Sequence, residues 1–230
     1  MKVLDGIQWI LTDIEGTTTE VSFVYDILFP YFRSHMDEWK TVDSDQMNQV
    51  LEQTRALVLE EQSINVSNKE AIFDQLRQWS IEDRKVTPLK TFQGMVWEQG
   101  FKSGAIKGHM YADVKPALER WTAMGMKLAI FSSGSIAAQK QLFGFSTEGD
   151  LTPYFSAYFD TTTGMKRDAA TYVKIAHLLN TIPSKVLFLS DIKEELEAAS
   201  SAGLHTVQLL RSGTAKAWKV TAEDFSQILP

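Results

Sequence analysis

The 230-residue chain contains no cysteine. That absence excludes disulfides, thiolate zinc sites and a cysteine nucleophile, and it accords with a reducing compartment. Histidine is scarce as well. His35, His109, His177 and His205 lie far apart, so no metal-ligand spacing and no Ser-His-Asp constellation stands out, and each is read as a solvated or core residue. Positive charge is in deficit, with 23 Lys and Arg against 29 Asp and Glu and a formal net charge of −6. A phosphate-coated partner such as nucleic acid is held through clustered Lys and Arg, so the balance argues against one, although a small anion can still bind locally. Long apolar runs are missing too. The opening MKVLDGIQWILTD is broken by Asp5 and Asp13, and is too short and too charged for a signal segment or a membrane span. No membrane or nucleic-acid partner is expected, and the expected location is cytoplasmic, with the nucleus added if the source is eukaryotic. No internal repeat or low-complexity tract is visible.

What the chain does have is 44% hydrophobic and 23% charged residues, enough for one well-buried domain and a smaller one. Its organising stretch is Ile10-Leu11-Thr12-Asp13-Ile14-Glu15-Gly16-Thr17-Thr18. Residues 7–12 (IQWILT) are short, apolar and β-rich, as for a strand buried in a parallel sheet, so Asp13 falls where such a strand reaches its ligand-binding edge. In an extended chain Asp13 and Glu15 point the same way. Two like charges so close repel unless a cation separates them or one is protonated, and hard oxygen ligands suit Mg²⁺. A plain helix N-cap explains Asp and Thr here equally well, and from these residues alone both readings stand.

From Val21 to about residue 100 the apolar positions recur at helical spacing amid much charge, which predicts a helical insert. Val50, Leu51, Leu57 and Val58, then Ile72, Leu76 and Trp79, form the amphipathic stripes. Ser63 to Asn68 reads as a loop between two helices, and Pro88 as a turn or a helix opening. From about residue 112 short apolar runs alternate with helices. Asp113 to Met124 is helical, and Lys127 to Phe131 is a strand ending in Ser132-Ser133-Gly134-Ser135 before a helix at Ile136–Phe143. Hydroxyls and amides at such a turn can hold a phosphate, or simply cap the helix. A third unit runs from Tyr158-Phe159-Asp160 through Lys166 into a helix at Ala169–Leu179. A cation at a helix entrance is disfavoured unless an anion balances it. The fourth, Val186 to Ser190 followed by Asp191, a helix from Ile192 to Gly203 and a strand at Thr206–Leu210, is the clearest.

Repeated strand-helix units predict an α/β fold with a doubly wound parallel sheet, whose right-handed crossovers collect the strand C-termini on one edge. That edge gathers Asp13, Glu15, Ser132, Ser133, Lys166 and Asp191. Together they offer a carboxylate nucleophile, a nearby acid, hydroxyl and amide donors for a phosphoryl group, a lysine, and a distant carboxylate for Mg²⁺: the parts of phosphoryl transfer through an aspartyl-phosphate.

This set resembles the four motifs of the haloacid dehalogenase-like superfamily, with the helical insert as its cap. More narrowly, Asp13-Ile-Glu-Gly-Thr-Thr-Thr19, Asp83 through Lys90, Ser132-Ser-Gly-Ser135 with Ala138-Gln-Lys140, Leu142-Phe-Gly144 with Ser146 and Gly149-Asp150, and Phe159-Asp-Thr161 resemble the enolase-phosphatase family of methionine salvage over nearly the whole chain. The resemblance implies a haloacid dehalogenase-like core of residues 1–19 and 112–230 with an all-helical cap over 20–111, and a monomer. It implies conversion of 2,3-diketo-5-methylthiopentyl-1-phosphate through an enediol phosphate to acireductone and phosphate, with Mg²⁺ as cofactor. Asp13 would be nucleophile and metal ligand, Glu15 the acid/base with its main-chain carbonyl on the metal, Ser132 and Ser133 phosphate ligands, Lys166 the countercharge, and Asp191 a metal ligand.

Two features depart from the wider superfamily. Most of its phosphatases carry Asp where this chain has Glu15, a difference that the enolase-phosphatases share. No second Asp follows Asp191, and Glu195, one helical turn on, is the next acid, as a water-mediated metal contact or as surface charge. The competing function is a Mg²⁺-dependent phosphatase for another small phosphate ester such as a sugar phosphate. It would keep every core motif and differ at Arg84, Lys85 and Gln93 of the insert. A dehalogenase needs neither Mg²⁺ nor an acid at position 15, and a non-catalytic binding module would be expected to lack some of these groups.

Overall fold

The computed structural model describes residues 6–228. The chain forms two compact units. One comprises the chain through Val21 together with the chain from Lys107 onward, and the other is Ser22–Ile106. The boundaries read from the sequence fall two residues earlier on the way out and five residues later on the way back. Residues 17–20 and 109–111 pair within the first unit: Tyr111 N donates to Thr18 O at 3.1 Å, and Thr19 Oγ1 lies 3.0 Å from His109 Nδ1.

The first unit is built on a six-stranded parallel sheet in the order β3-β2-β1-β4-β5-β6. These strands are β1 (Trp9–Thr12), β2 (Lys127–Phe131), β3 (Phe155–Phe159), β4 (Val186–Ser190), β5 (His205–Leu209) and β6 (Thr221–Ala222). The last has only two residues and no apolar run of its own, so no strand was expected there. Every residue of β1 and of β4 is buried. Both faces are covered, which is why these segments read as continuous apolar runs rather than alternating ones. On one face Trp9, Leu11, Phe131 and Phe188 pack with Tyr172 and Ile175 of α7 (Ala169–Leu178) and Leu196 of α8 (Lys193–Ser201).

The register aligns the strand ends. Thr12 pairs with Ile130 on one side and with Leu189 on the other, and Asp13 N donates to Leu189 O at 2.9 Å. Asp13, Ser132 and Asp191 therefore leave the sheet at neighbouring strand ends. Because β2 lies to one side of β1 and β4 to the other, Asp13 sits where the winding reverses, the place at which open α/β sheets bind ligands.

The second unit is helical. The chain enters through a π-helical segment, Phe23–Leu28, and continues as α1 (Phe29–His35) and a 3₁₀ turn at Met36–Thr41. Then come α2 (Asp45–Gln62), α3 (Lys69–Ile81) and α4 (Thr87–Ser103), the last with Pro88 in its first turn. Ser44 and Asn68 cap α2 and α3 by accepting from Met47 N and Ala71 N. The stripe residues Val50, Val58, Ile72, Leu76 and Trp79 are buried, and Leu51 and Leu57 are half-buried. Phe92 lies at the centre, edge-on to Phe32 at 5.2 Å and to Phe73 at 5.5 Å.

Candidate active site

Asp13 is buried at the end of β1, and Lys166 Nζ lies 2.7 Å from its Oδ1. The same oxygen accepts from Ile14 N at 2.7 Å, so both bonds fall on Oδ1. Lys166 reaches the site from the loop before α7, not from the helix itself. Asp168 caps α7 by accepting from Ala170 N, and Tyr172 fixes the lysine backbone by donating its hydroxyl to Lys166 O at 2.7 Å. Gly164 makes the approach possible. A Cβ there would lie 2.2 Å from Thr171 Oγ1, so no larger residue fits.

Lys166 is only 8% exposed, and its second partner is Glu195 Oε2 at 2.7 Å. Glu195 is not surface charge: it too is 8% exposed and also accepts from Ser190 Oγ at 3.1 Å. The ammonium is thus balanced by two carboxylates, which answers the dipole objection to a cation near a helix start. Burial works against the charged lysine, yet Asp13 and Glu195 outweigh it and hold its pKa above the ordinary value. Burial, and then Asp13, push the Glu195 carboxyl upward. Sequence could locate Glu195 but not its partner, because the pairing depends on α8 and the loop before α7 meeting across β1 and β4.

Asp191 follows β4. Its Oδ1 is buried and finds no hydrogen-bond partner among the described residues. Burial first, then the nearby Asp13, push its carboxyl up to about 7. A buried acceptor without a donor beside a second carboxylate is the environment a hard cation relieves. Among the described residues no three His, Cys, Asp or Glu side chains gather as a ligand set. The chemistry of the two carboxylates, Asp13 and Asp191, nevertheless fits Mg²⁺. The Glu15 side chain is exposed, unlike that of Asp13, so the two do not share one environment as an extended chain would place them. The chain turns directly after Glu15, with φ +70° at Gly16.

Ser132 is buried, its N donates to Phe159 O at 3.2 Å, and its Oγ accepts from Gly134 N at 3.2 Å. Ser133 is half-buried on the same loop. The cap of α6 (Ile136–Gly144) is neither of them: Ser135 Oγ accepts from Ala138 N at 3.3 Å. Capping therefore does not account for Ser132 and Ser133. Asp160, which sequence reading left without a role, braces the loop by accepting from Ile136 N at 3.3 Å and from Thr162 N at 2.9 Å.

The three insert residues named as discriminating between substrates have these surroundings. Arg84 forks onto Glu61 at 2.9 and 2.7 Å and lies 5.1 Å over Trp79, Lys85 pairs with Asp83 at 2.5 Å, and Gln93 is buried.

A family profile described as haloacid dehalogenase-like hydrolase matches residues 7–203. The enolase-phosphatase E1 of Pseudomonas fluorescens is 49% identical over 225 residues, covering 98% of each chain. That of Drosophila willistoni is 46% identical, covering 91% of this chain and 89% of its own. Among solved structures, the UTR4 protein of Saccharomyces cerevisiae aligns with a TM-score of 0.80 at 34% identity, over 96% of this chain and all of that one. CbbY of Rhodobacter sphaeroides in complex with phosphate aligns at 0.60 and 17% identity over 96% of both chains, a likeness of fold alone. With its parallel sheet, its Asp13–Lys166 pair and relatives of this similarity along its length, the chain belongs to the haloacid dehalogenase-like hydrolases and, within them, to the enolase-phosphatase E1 family.

Proposed function

We propose that the protein converts 2,3-diketo-5-methylthiopentyl-1-phosphate, through an enediol phosphate, to acireductone and phosphate in methionine salvage, with an aspartyl-phosphate on Asp13. The observation that carries the phosphoryl chemistry is the buried contact of Lys166 Nζ with Asp13 Oδ1 at 2.7 Å. Full-length relatives at 46–49% identity support the substrate.

Asp13 attacks phosphorus through Oδ2, since Lys166 and Ile14 N both engage Oδ1. The substrate P–O bond breaks, and Glu15 gives its proton to the leaving oxygen. Glu15 then takes a proton from water, which attacks the phosphorus of phospho-Asp13 and frees both phosphate and carboxylate. Ser132 and Ser133 hold the phosphoryl oxygens, and Lys166 offsets the charge that gathers between them and Asp13. The Asp13 and Asp191 carboxylates and the Glu15 main-chain carbonyl would hold Mg²⁺, which would supply positive charge for the phosphoryl oxygens and for the enolate.

The helical unit Ser22–Ile106 is read as the cap. No helix of the described residues is long and apolar enough to cross a membrane. We read the protein as a cytoplasmic enzyme, nuclear as well in a eukaryote, that acts as a monomer on a small phosphate without nucleic acid. The test is a Mg²⁺-dependent assay of the diketone phosphate beside a panel of sugar phosphates, following near-ultraviolet absorbance for the enediol and free phosphate for hydrolysis. Enediol followed by phosphate from the diketone alone is the expected result. Phosphate release without any enediol, or faster turnover of a sugar phosphate, overturns it in favour of a plain phosphatase.

A further inference from the structure

Arg211, two residues beyond β5, is 8% exposed. Its guanidinium spends four hydrogen bonds on two groups. Nε and Nη2 donate to Thr17 O at 3.1 and 2.9 Å, while Nη1 and Nη2 donate to Asp113 Oδ1 and Oδ2 at 2.9 and 2.8 Å. The ring of Tyr111 lies 4.1 Å from the guanidinium carbon and that of Phe225 lies 5.3 Å from it. Asp113 is held in turn by Phe225 N at 2.8 Å.

Thr17 lies four residues past Asp13, in a turn that uses its amides on itself. Thr17 N, Thr18 N and Thr19 N all donate to Ile14 O, at 3.1, 2.8 and 3.1 Å, and Gly16 N donates to Thr19 O at 2.8 Å. The carbonyls of the turn are then its points of attachment. Tyr111 N takes Thr18 O, and Arg211 takes Thr17 O. An ion pair with Asp113 needs only two of the four bonds. The other two act on the backbone of the turn that carries Glu15 and Gly16.

We propose that Arg211 is a positioning residue for phosphoryl transfer, clamping the Thr17 carbonyl so that the turn holds the Glu15 main chain and the Gly16 backbone in place beside Asp191. This rests on the phosphatase reading above. Arginine suits the task because its planar fork serves a carbonyl and a carboxylate at once, while a lysine offers one point of charge.

The test compares wild type, Arg211→Lys and Arg211→Ala, each brought to the same folded fraction by circular dichroism. A loosened turn displaces reacting groups, so kcat per folded molecule falls roughly 100-fold in both variants. KM for the diketone phosphate stays within about threefold, since the groups that hold the phosphate are untouched. Mg²⁺ binding to the substrate-free protein, read by calorimetry, weakens. Guanidinium ion restores kcat to Arg211→Ala, and potassium at equal ionic strength does not. A merely structural arginine would lower the unfolding midpoint and leave kcat per folded molecule unchanged. Should Arg211→Ala not fold, Arg211→Lys decides. No phosphate release from the wild type overturns the functional reading together with this one, whereas an active wild type matched by a folded Arg211→Lys overturns this one alone.

Discussion

Gly16 and Asp191 meet with no room for a side chain between them: a Cβ on Gly16 would lie 2.3 Å from Asp191 Oδ2. The glycine also has φ +70°, a conformation costly to any residue with a Cβ. The turn after the nucleophile and the carboxylate after β4 are thus in direct contact.

Gly16→Ala is therefore expected to push Asp191 away from Asp13. The strain of about 1–2 kcal/mol lowers the melting temperature by a few degrees only. Mg²⁺ binding and phosphate release fall much further, by roughly tenfold or more for each ~1.4 kcal/mol lost at the metal carboxylate. Thermal unfolding and a Mg²⁺ titration of the same samples check this, and unchanged Mg²⁺ dependence in a folded variant would refute it.

Lys166→Met removes the buried countercharge shared by Asp13 and Glu195. Two carboxylates left facing each other cost roughly 3–5 kcal/mol, so the rate of phosphate release should drop by two to three orders of magnitude or more. Glu195→Gln keeps the shape and a hydrogen bond to Lys166 while discarding one charge, and is expected to be the milder variant. A loss below about tenfold for Lys166→Met would place the lysine outside the reaction.

The pH dependence follows from Asp191, whose carboxyl rises from 3.8 to about 7 in the metal-free fold. Between those values the folded protein holds a proton that the unfolded chain has released. Stability of the metal-free protein from this group is thus present at acid pH and lost as the pH rises from about 4 to about 7. A cation must displace the same proton, so Mg²⁺ affinity weakens as the pH falls below about 7, with up to one proton released per ion bound. Chemical unfolding with and without Mg²⁺ over pH 5–8 measures both. Mg²⁺ affinity that is flat across this range would contradict the assignment of Asp191.

Glu15→Gln separates the two chemical steps. A neutral amide cannot protonate the leaving oxygen, but the main-chain carbonyl stays in place. With Mg²⁺ and the diketone phosphate, the variant should accumulate phosphorylated enediol, seen as near-ultraviolet absorbance that persists without phosphate release. Release at the wild-type rate would remove Glu15 from the acid/base role.

Much of this architecture could be read locally. The buried runs of β1 and β4 are apolar on both faces, and the caps of α2, α3 and α6 are short polar residues just ahead of periodic segments. Each of these depends on contacts within a few residues, or on burial that the type of residue itself reports. The order of Asp13, Ser132, Lys166 and Asp191 along the chain, each near a strand end, was legible for the same reason. Tertiary structure alone decided which acid faces Lys166, that Arg84 forks onto Glu61, and that Arg211 reaches back 194 residues to the turn after Asp13. These pairings are set by strand register and by where each crossover returns the chain, and neither leaves a trace in local periodicity. The two-residue β6 escaped notice because a strand that short buries too little to imprint a pattern, and it exists because β5 offers it a ladder.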